Sequence, residues 1–228
     1  MEKLIAKLFV AAAMITLVSC SSEEVIPKPY SDAFIVTENV SGVNLYRMAF
    51  YTYANVSMSS VVVESESGET FSLKSPSGYT YEYYLETLNN SEFSEIGEYS
   101  FTVTPDKGDV VTNSDVVLNE AIEPIEMTKC AFSTTNNRIE VTWDPSEDVD
   151  YAVLILRDAN ENAVYYSSAL SATASSAYIT SSGWSNGYAP VDGITYSVEL
   201  NVFQLEGSTS DFLQSKAITS QDVVWGQE

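Results

Sequence analysis

The chain of 228 residues has no histidine, two cysteines, and 10 lysines and arginines against 32 aspartates and glutamates. Each shortage removes a class of function. Without histidine there is no Ser-His-Asp triad, the commonest general base is missing, and most zinc and redox-metal sites cannot be built. A cysteine with no histidine beside it has no base to activate it. A net charge of −22 repels nucleic acid and anionic headgroups, so nucleic acid is excluded as a partner. No glycine-rich phosphate loop of the Walker or Rossmann type occurs, and no cofactor is expected. Paired carboxylates remain open to glycoside hydrolysis. Among so many acids, however, some pair will stand about 5–10 Å apart by coincidence. The chain is therefore read as non-catalytic.

What the chain has in quantity is strand-forming residues. It carries 15 Tyr and 9 Phe, and it is 45% hydrophobic. Apolar residues at helical spacing are absent after the first 20 positions. The expected class is all-β, with enough chain for two cores.

The first residues form a separate object. Lys3 and Lys7 precede an apolar run of 11 residues at 8–18 (LFVAAAMITLV). A bilayer span needs about 20 residues, so the run suits the core of a secretory signal. The stretch Leu17-Val18-Ser19-Cys20 resembles the lipobox of bacterial lipoproteins. That resemblance implies a diacylglycerol on the Cys20 sulfur, cleavage before Cys20, and usually acylation of its new amine. Each buried methylene contributes about 0.8 kcal/mol, so two or three chains anchor durably. Ser21-Ser22-Glu23-Glu24 looks like the short tag of surface-exported lipoproteins of Bacteroidetes; an ordinary solvated linker is the alternative. The expectation is a signal peptide over 1–19, a lipidated tether over 20–29 with two prolines, and an outer-membrane lipoprotein displayed at the cell surface. The membrane is then a partner through the N-terminal lipid. Cys130 is left without a disulfide partner and reads as a small buried apolar residue.

Beyond the tether the chain divides near 121–124, where Pro124 suits a hinge. In the second half, strands are expected at 138–143, 151–157, 163–167, 193–203 and 212–224, with Cys130 on an alternating segment at 128–132. Trp143 closes an alternating strand before Asp144-Pro145, Tyr151 and Val153 open the next, and Gly193-Ile194-Thr195-Tyr196-Ser197-Val198 precedes a long one. These residues resemble a fibronectin type III domain over 124–225. The resemblance implies that Trp143 is the strand B core tryptophan and that the Tyr196 hydroxyl ties back to nearby backbone as a tyrosine corner. The long Ser- and Ala-rich stretch 167–185 departs from the pattern.

The first half, 30–123, shows the same grammar: strands at 33–36, 45–55, 60–64, 70–74, 80–85, 97–104 and 109–118, with turns at 67–69 and 105–108. The expected fold is two tandem β-sandwiches, immunoglobulin-like over 30–123 and fibronectin type III-like over 124–228.

Candidate sites are few. Asp144, Asp148 and Asp150 lie in the densest acidic loop and are weak calcium candidates, without the glycine and distal glutamate of an EF-hand; no metal is expected. Asp106 and Asp109 sit in a turn that uses such residues for its own backbone. Trp184 and Tyr188 lie in a stretch of small and polar residues. They either present flat rings to a sugar or a protein, or cap the bottom of the sandwich. The functional expectation is a binding or adhesion module for glycan or protein. The alternatives are a structural spacer or subunit of an outer-membrane complex, and then a hydrolase accessory protein.

Overall fold

The computed structural model describes residues 26–76, 78–93, 96–207 and 210–227. Cys20, the signal peptide and the first part of the tether lie outside them. Fifteen strands and one short 3-10 turn make up the described chain. The protein is all-β.

The first half contributes β1 (Pro29–Val40), β2 (Val43–Ala54), β3 (Met58–Ser65), β4 (Thr70–Ser72), β5 (Glu82–Glu86), β6 (Gly97–Pro105) and β7 (Val111–Val117). They pair as β1-β2-β5 and β4-β3-β6-β7. The second half contributes β8 (Met127–Ser133), β9 (Arg138–Trp143), β10 (Tyr151–Arg157), β11 (Ala163–Tyr166), β12 (Leu170–Ser171), β13 (Ser176–Ile179), β14 (Thr195–Leu205) and β15 (Leu213–Val224). They pair as β8-β9-β13 and β11-β10-β14-β15, with the short β12 beside β10. The two halves thus share one strand order although no residue-level repeat links them. Each is a two-sheet sandwich of the immunoglobulin and fibronectin type III kind.

Alternation sets each core. Ile139, Val141 and Trp143 of β9 face Ala152, Leu154 and Leu156 of β10 and Val198, Leu200 and Val202 of β14. In the first half, Met48 and Phe50 of β2 face Val61 and Val63 of β3 and Phe101 and Val103 of β6. Cys130 is buried in the second core. Burial, with Asp222 adding, pushes its thiol up to about 12, so it behaves as an inert apolar group.

The sandwiches are joined along their sides. β1 pairs in parallel with β15, Ile35 opposite Ser215 through Glu38 opposite Ile218. The result is a single eight-stranded sheet running through both halves. Residues opposite one another in a sheet share a face. Ile35 belongs to the first core and Ala217 to the second, so both smaller sheets pack on the same face of the large one. β1 is covered on both faces, and seven consecutive residues of it are buried. This is why the strand runs from Pro29 to Val40 rather than the short 33–36 read from apolar residues alone: Ser31, Asp32 and Thr37 are buried too.

The opposite face carries a small apolar cluster of Phe34, Val36, Ala49 and Ile218. Ion pairs flank it: Arg47 holds Glu38 at 2.8 Å and Glu86 at 2.5 Å, and Arg157 holds Glu199 at 2.5 Å. Lys216 stands between them. Burial pushes its ammonium down, and Glu86 and Glu199 work against that shift.

Polar bonds close the seam. The Leu213 amide donates to Asp32 Oδ2 at 3.0 Å and the Ala33 amide to Asp115 Oδ2 at 2.7 Å. Tyr30 stacks on Phe212 with centroids 4.6 Å apart. The linker is pinned as well. The Ile122 amide donates to Ser215 Oγ at 3.0 Å, and Gln214 Nε2 donates to the Leu118 carbonyl at 2.9 Å.

Asp32 is 2% exposed. Burial, with Asp115 and Glu206 adding to it, raises its carboxyl to about 8 against the Leu213 amide. A group raised in this way holds a proton in the folded chain that the unfolded chain releases. Stability therefore falls as pH rises from about 4 to about 8. Asp32→Asn keeps an acceptor for Leu213 and removes the titration. Urea unfolding is expected to show the variant gaining roughly 3–4 kcal/mol on the parent between pH 5 and pH 8. A parent equally stable at both pH values contradicts this.

Candidate functional site

Strand direction fixes which groups share an end of the molecule. β1 runs away from the point where the chain enters at Pro29. β15 runs parallel to β1, and β14 runs antiparallel to β15, with Thr195 opposite Val224. The loop leading into Thr195 therefore lies at the end remote from Pro29. Trp184 and Tyr188 are both on this loop.

The structure separates those two residues. Trp184 is 9% exposed and belongs to the second core. Its ring meets Tyr196 and Trp225 edge-on, at 5.1 and 5.5 Å, and its Nε1 donates to the Thr180 carbonyl at 2.8 Å. Of the two alternatives for Trp184, display or capping of the sandwich, the structure shows the cap. The loop folds the indole over the end of the sandwich, because an aromatic of this size gains more from burial than from display. Tyr188 remains exposed, and its hydroxyl donates to Asp158 Oδ2 at 3.2 Å. Val191 and Ile194 are exposed beside it in sequence.

Tyr196 anchors the loop. The Val191 amide donates to its hydroxyl at 3.2 Å, which is the backbone tie expected of a tyrosine corner. Gly193, at φ 79, bonds its amide to the Trp225 carbonyl at 2.8 Å. A side chain there is strained in this left-handed conformation. The opposite flank is set by Asp158, which accepts from the amides of Asn160 and Asn162 at 2.9 Å each. Desolvation acts on its carboxyl, but those amides, the Asn162 side chain and Tyr188 hold it below its ordinary value.

The acidic loop lies at the other end of the second sandwich. Asp150 Oδ2 accepts from the Leu205 amide at 2.8 Å, so this carboxylate caps backbone. Asp144 and Asp148 are exposed. Among the described residues, no group of three or more His, Cys, Asp or Glu side chains is placed to hold a metal ion. Asp148 instead lines an open recess of about 420 Å³ with Glu120, Glu123, Ile122, Pro124 and Gln204. The linker forms one wall of it.

Sequence reading did not find the carboxylates at the seam. Asp115 stands close enough to both Asp32 and Glu206 for its like charge to raise their carboxyls. Burial first, then Asp115, raises the Glu206 carboxyl. Raised carboxyls suit general acids, yet Asp32 is closed off by strand backbone and no substrate reaches it. These groups come from strands distant in sequence, and no local spacing marks them.

No protein-family model matches the chain, and no curated protein matches its sequence. Among solved structures, a two-domain fibronectin type III segment of chicken tenascin is similar at 13% identity and a TM-score of 0.31, covering 77% of this chain and 91% of its own. The BSP domain of a biofilm-associated protein is similar at 6% identity and a TM-score of 0.29, with 90% of this chain and 53% of that one covered. A tetra-tandem repeat from the extending region of a large adhesion protein is similar at 15% and 0.24, with 86% and 50% covered. The chain spans about half the length of the last two. At TM-scores of this size the likenesses carry no argument about function.

Trp184→Ala is expected to cost about 3–5 kcal/mol of unfolding free energy, the loss typical of a buried large aromatic. Tyr188→Ala is expected to stay within about 0.5 kcal/mol, as exposed positions do. Chemical denaturation followed by tryptophan fluorescence and circular dichroism tests both values. A neutral Trp184→Ala contradicts the placement of the indole in the core.

Proposed function

We propose that the chain is a non-catalytic envelope lipoprotein, held by acyl chains on Cys20 and displayed at the cell surface of a Bacteroidetes-type bacterium. It acts there as a binding or adhesion module for a glycan or protein ligand. One observation carries the reading: the chain enters at one end, at Ile26 and Pro29, and the 181–194 loop with exposed Tyr188, Val191 and Ile194 stands at the other. A tether at the first end holds that loop outward. The loop has a fixed frame, from the Tyr196 tie and the Asp158 turn, and a small exposed apolar tip. Ordered contact groups bind with less entropy cost than mobile ones.

A second reading is a structural spacer or subunit of an envelope complex. The joined sheet supports it, since two sandwiches locked side by side hold a fixed geometry where a flexible linker would not.

Glycan-array and pull-down assays with the soluble chain from Ser21 onward test the first reading. Tyr188→Ala combined with Val191→Ser and Ile194→Ser is expected to lower binding at least tenfold while leaving the unfolding transition unchanged. Ligand binding unaffected by the triple substitution contradicts the assignment of the loop. A constant envelope partner captured with equal yield by parent and variant favours the spacer.

A further inference from the structure

We propose that the end where the chain enters is a membrane-contact face, with Ile26, Tyr53, Tyr79, Tyr81 and Val110 resting in the headgroup region of the bilayer that holds the Cys20 lipid. The inference rests on the anchoring reading above and deepens it by assigning which end of the molecule the membrane touches.

Three observations support it. The first is how the entering chain is held. The Lys28 amide donates to Asn55 Oδ1 at 2.7 Å, and Asn55 Nδ2 donates back to the Ile26 carbonyl at 3.1 Å. Pro27 packs close to Gly108 in the turn between β6 and β7. The tether therefore leaves from a fixed point, on the turns that close this end of the first sandwich.

The second is reach. Six positions separate Cys20 from Ile26, at most about 20 Å of extended chain. Strand β1 alone, with 12 residues, is roughly 40 Å long. A chain acylated at Cys20 brings this end to the bilayer surface and leaves the 181–194 loop far from it.

The third is the surface itself. Five large apolar side chains stand at this end, with exposures from 40% at Tyr81 to 70% at Ile26; the remote end also exposes Val40, Val43, Leu88 and Ile96, so it is the reach of the tether that selects this end. The Tyr79 and Tyr81 rings lie 5.9 Å apart. Their loop is held firmly: the Ala54 amide donates to the Tyr81 carbonyl at 3.0 Å, and the Met58 amide to the Thr80 carbonyl at 2.8 Å. Tyrosine has an apolar ring and a polar tip, and it concentrates at membrane–water interfaces for that reason. Charge selects the mode of contact. Lys28 and Lys107 stand at this end among Asp106, Asp109 and Glu82, the exposed Asp144, Glu147 and Asp148 of the second sandwich face the same way, and no basic stripe forms. The contact is ring burial beside the lipid anchor, and anionic headgroups do not strengthen it.

The test uses the acylated full chain reconstituted in phospholipid vesicles, with an environment-sensitive fluorophore on Tyr81→Cys, Val110→Cys or, as a control, Val191→Cys. The buried Cys130 stays unlabelled. The labels at 81 and 110 are expected to shift to the blue and to be quenched by headgroup-level spin-labelled lipid. The label at 191 is expected to stay in water. The shifts should be at least as large in phosphatidylcholine as in phosphatidylethanolamine with phosphatidylglycerol. If the chain floats with the vesicles by its lipid while the labels at 81 and 110 remain aqueous, the contact face is overturned and the anchor stands. If mass spectrometry finds an unmodified Cys20 and the chain does not float, both readings fail. A blue shift at 81 without vesicles assigns the patch to self-association and also overturns the inference.

Discussion

The parallel pairing of β1 with β15 is the contact on which the rest of the architecture depends. A strand at the edge of a sheet exposes a row of unpaired backbone groups, which invites pairing with other chains. Each half of this protein has such an edge, β1 in the first and β15 in the second. Joining them covers both and turns two sheets into one of eight strands. The join also makes a strand with two covered faces, and polar residues are caught in it. Asp32 is held there, with one oxygen bonded by the Leu213 amide and the other without a partner. The energetic cost is a buried carboxyl that prefers to keep its proton.

The seam also orders what lies around it. Because both cores lie on one face of the large sheet, no second sheet packs on the other, and side chains of neighbouring strands close over β1 there. That face is finished by Arg47, Arg157 and Lys216, three of the chain's few cations, set among Glu38, Glu86 and Glu199. The linker from Leu118 to Glu126 cannot swing freely, since Ile122 is buried in the second core and its amide bonds β15. Fixed geometry between the sandwiches fixes the two ends in turn: tether and tyrosine patch at one, Tyr188 with Val191 and Ile194 at the other.

Much of this was legible in the sequence wherever one face of a strand is buried. β9 and β10 begin and end at the positions that alternation predicts, because Ile139, Val141 and Trp143 mark one face without ambiguity. The tyrosine corner was legible as Gly193 followed by Tyr196, since the turn demands those residues. Tyr83 and Tyr84 of β5 divide as alternation requires: Tyr83 packs into the first core and Tyr84 against the cluster on the opposite face. What stayed hidden is pairing between distant segments. Nothing near residue 35 specifies residue 215, and a strand buried on both faces loses the alternation that reveals direction. The choice for Trp184 between display and capping stayed open for a related reason. Its loop is polar and irregular, and its burial depends on Tyr196 and Trp225, which the local sequence does not place. Cys20 lies outside the described residues, and its role rests on the lipobox resemblance.

Residue-resolved amide exchange across 35–38 and 215–218 tests the shared sheet most directly. In an isolated sandwich, alternate amides of each edge strand face water and exchange within the time of a loop. The joined sheet protects all of them to the level of the central strands β2 and β14. Fast exchange at every second amide of these two segments would contradict the pairing and return the protein to two sandwiches on a string.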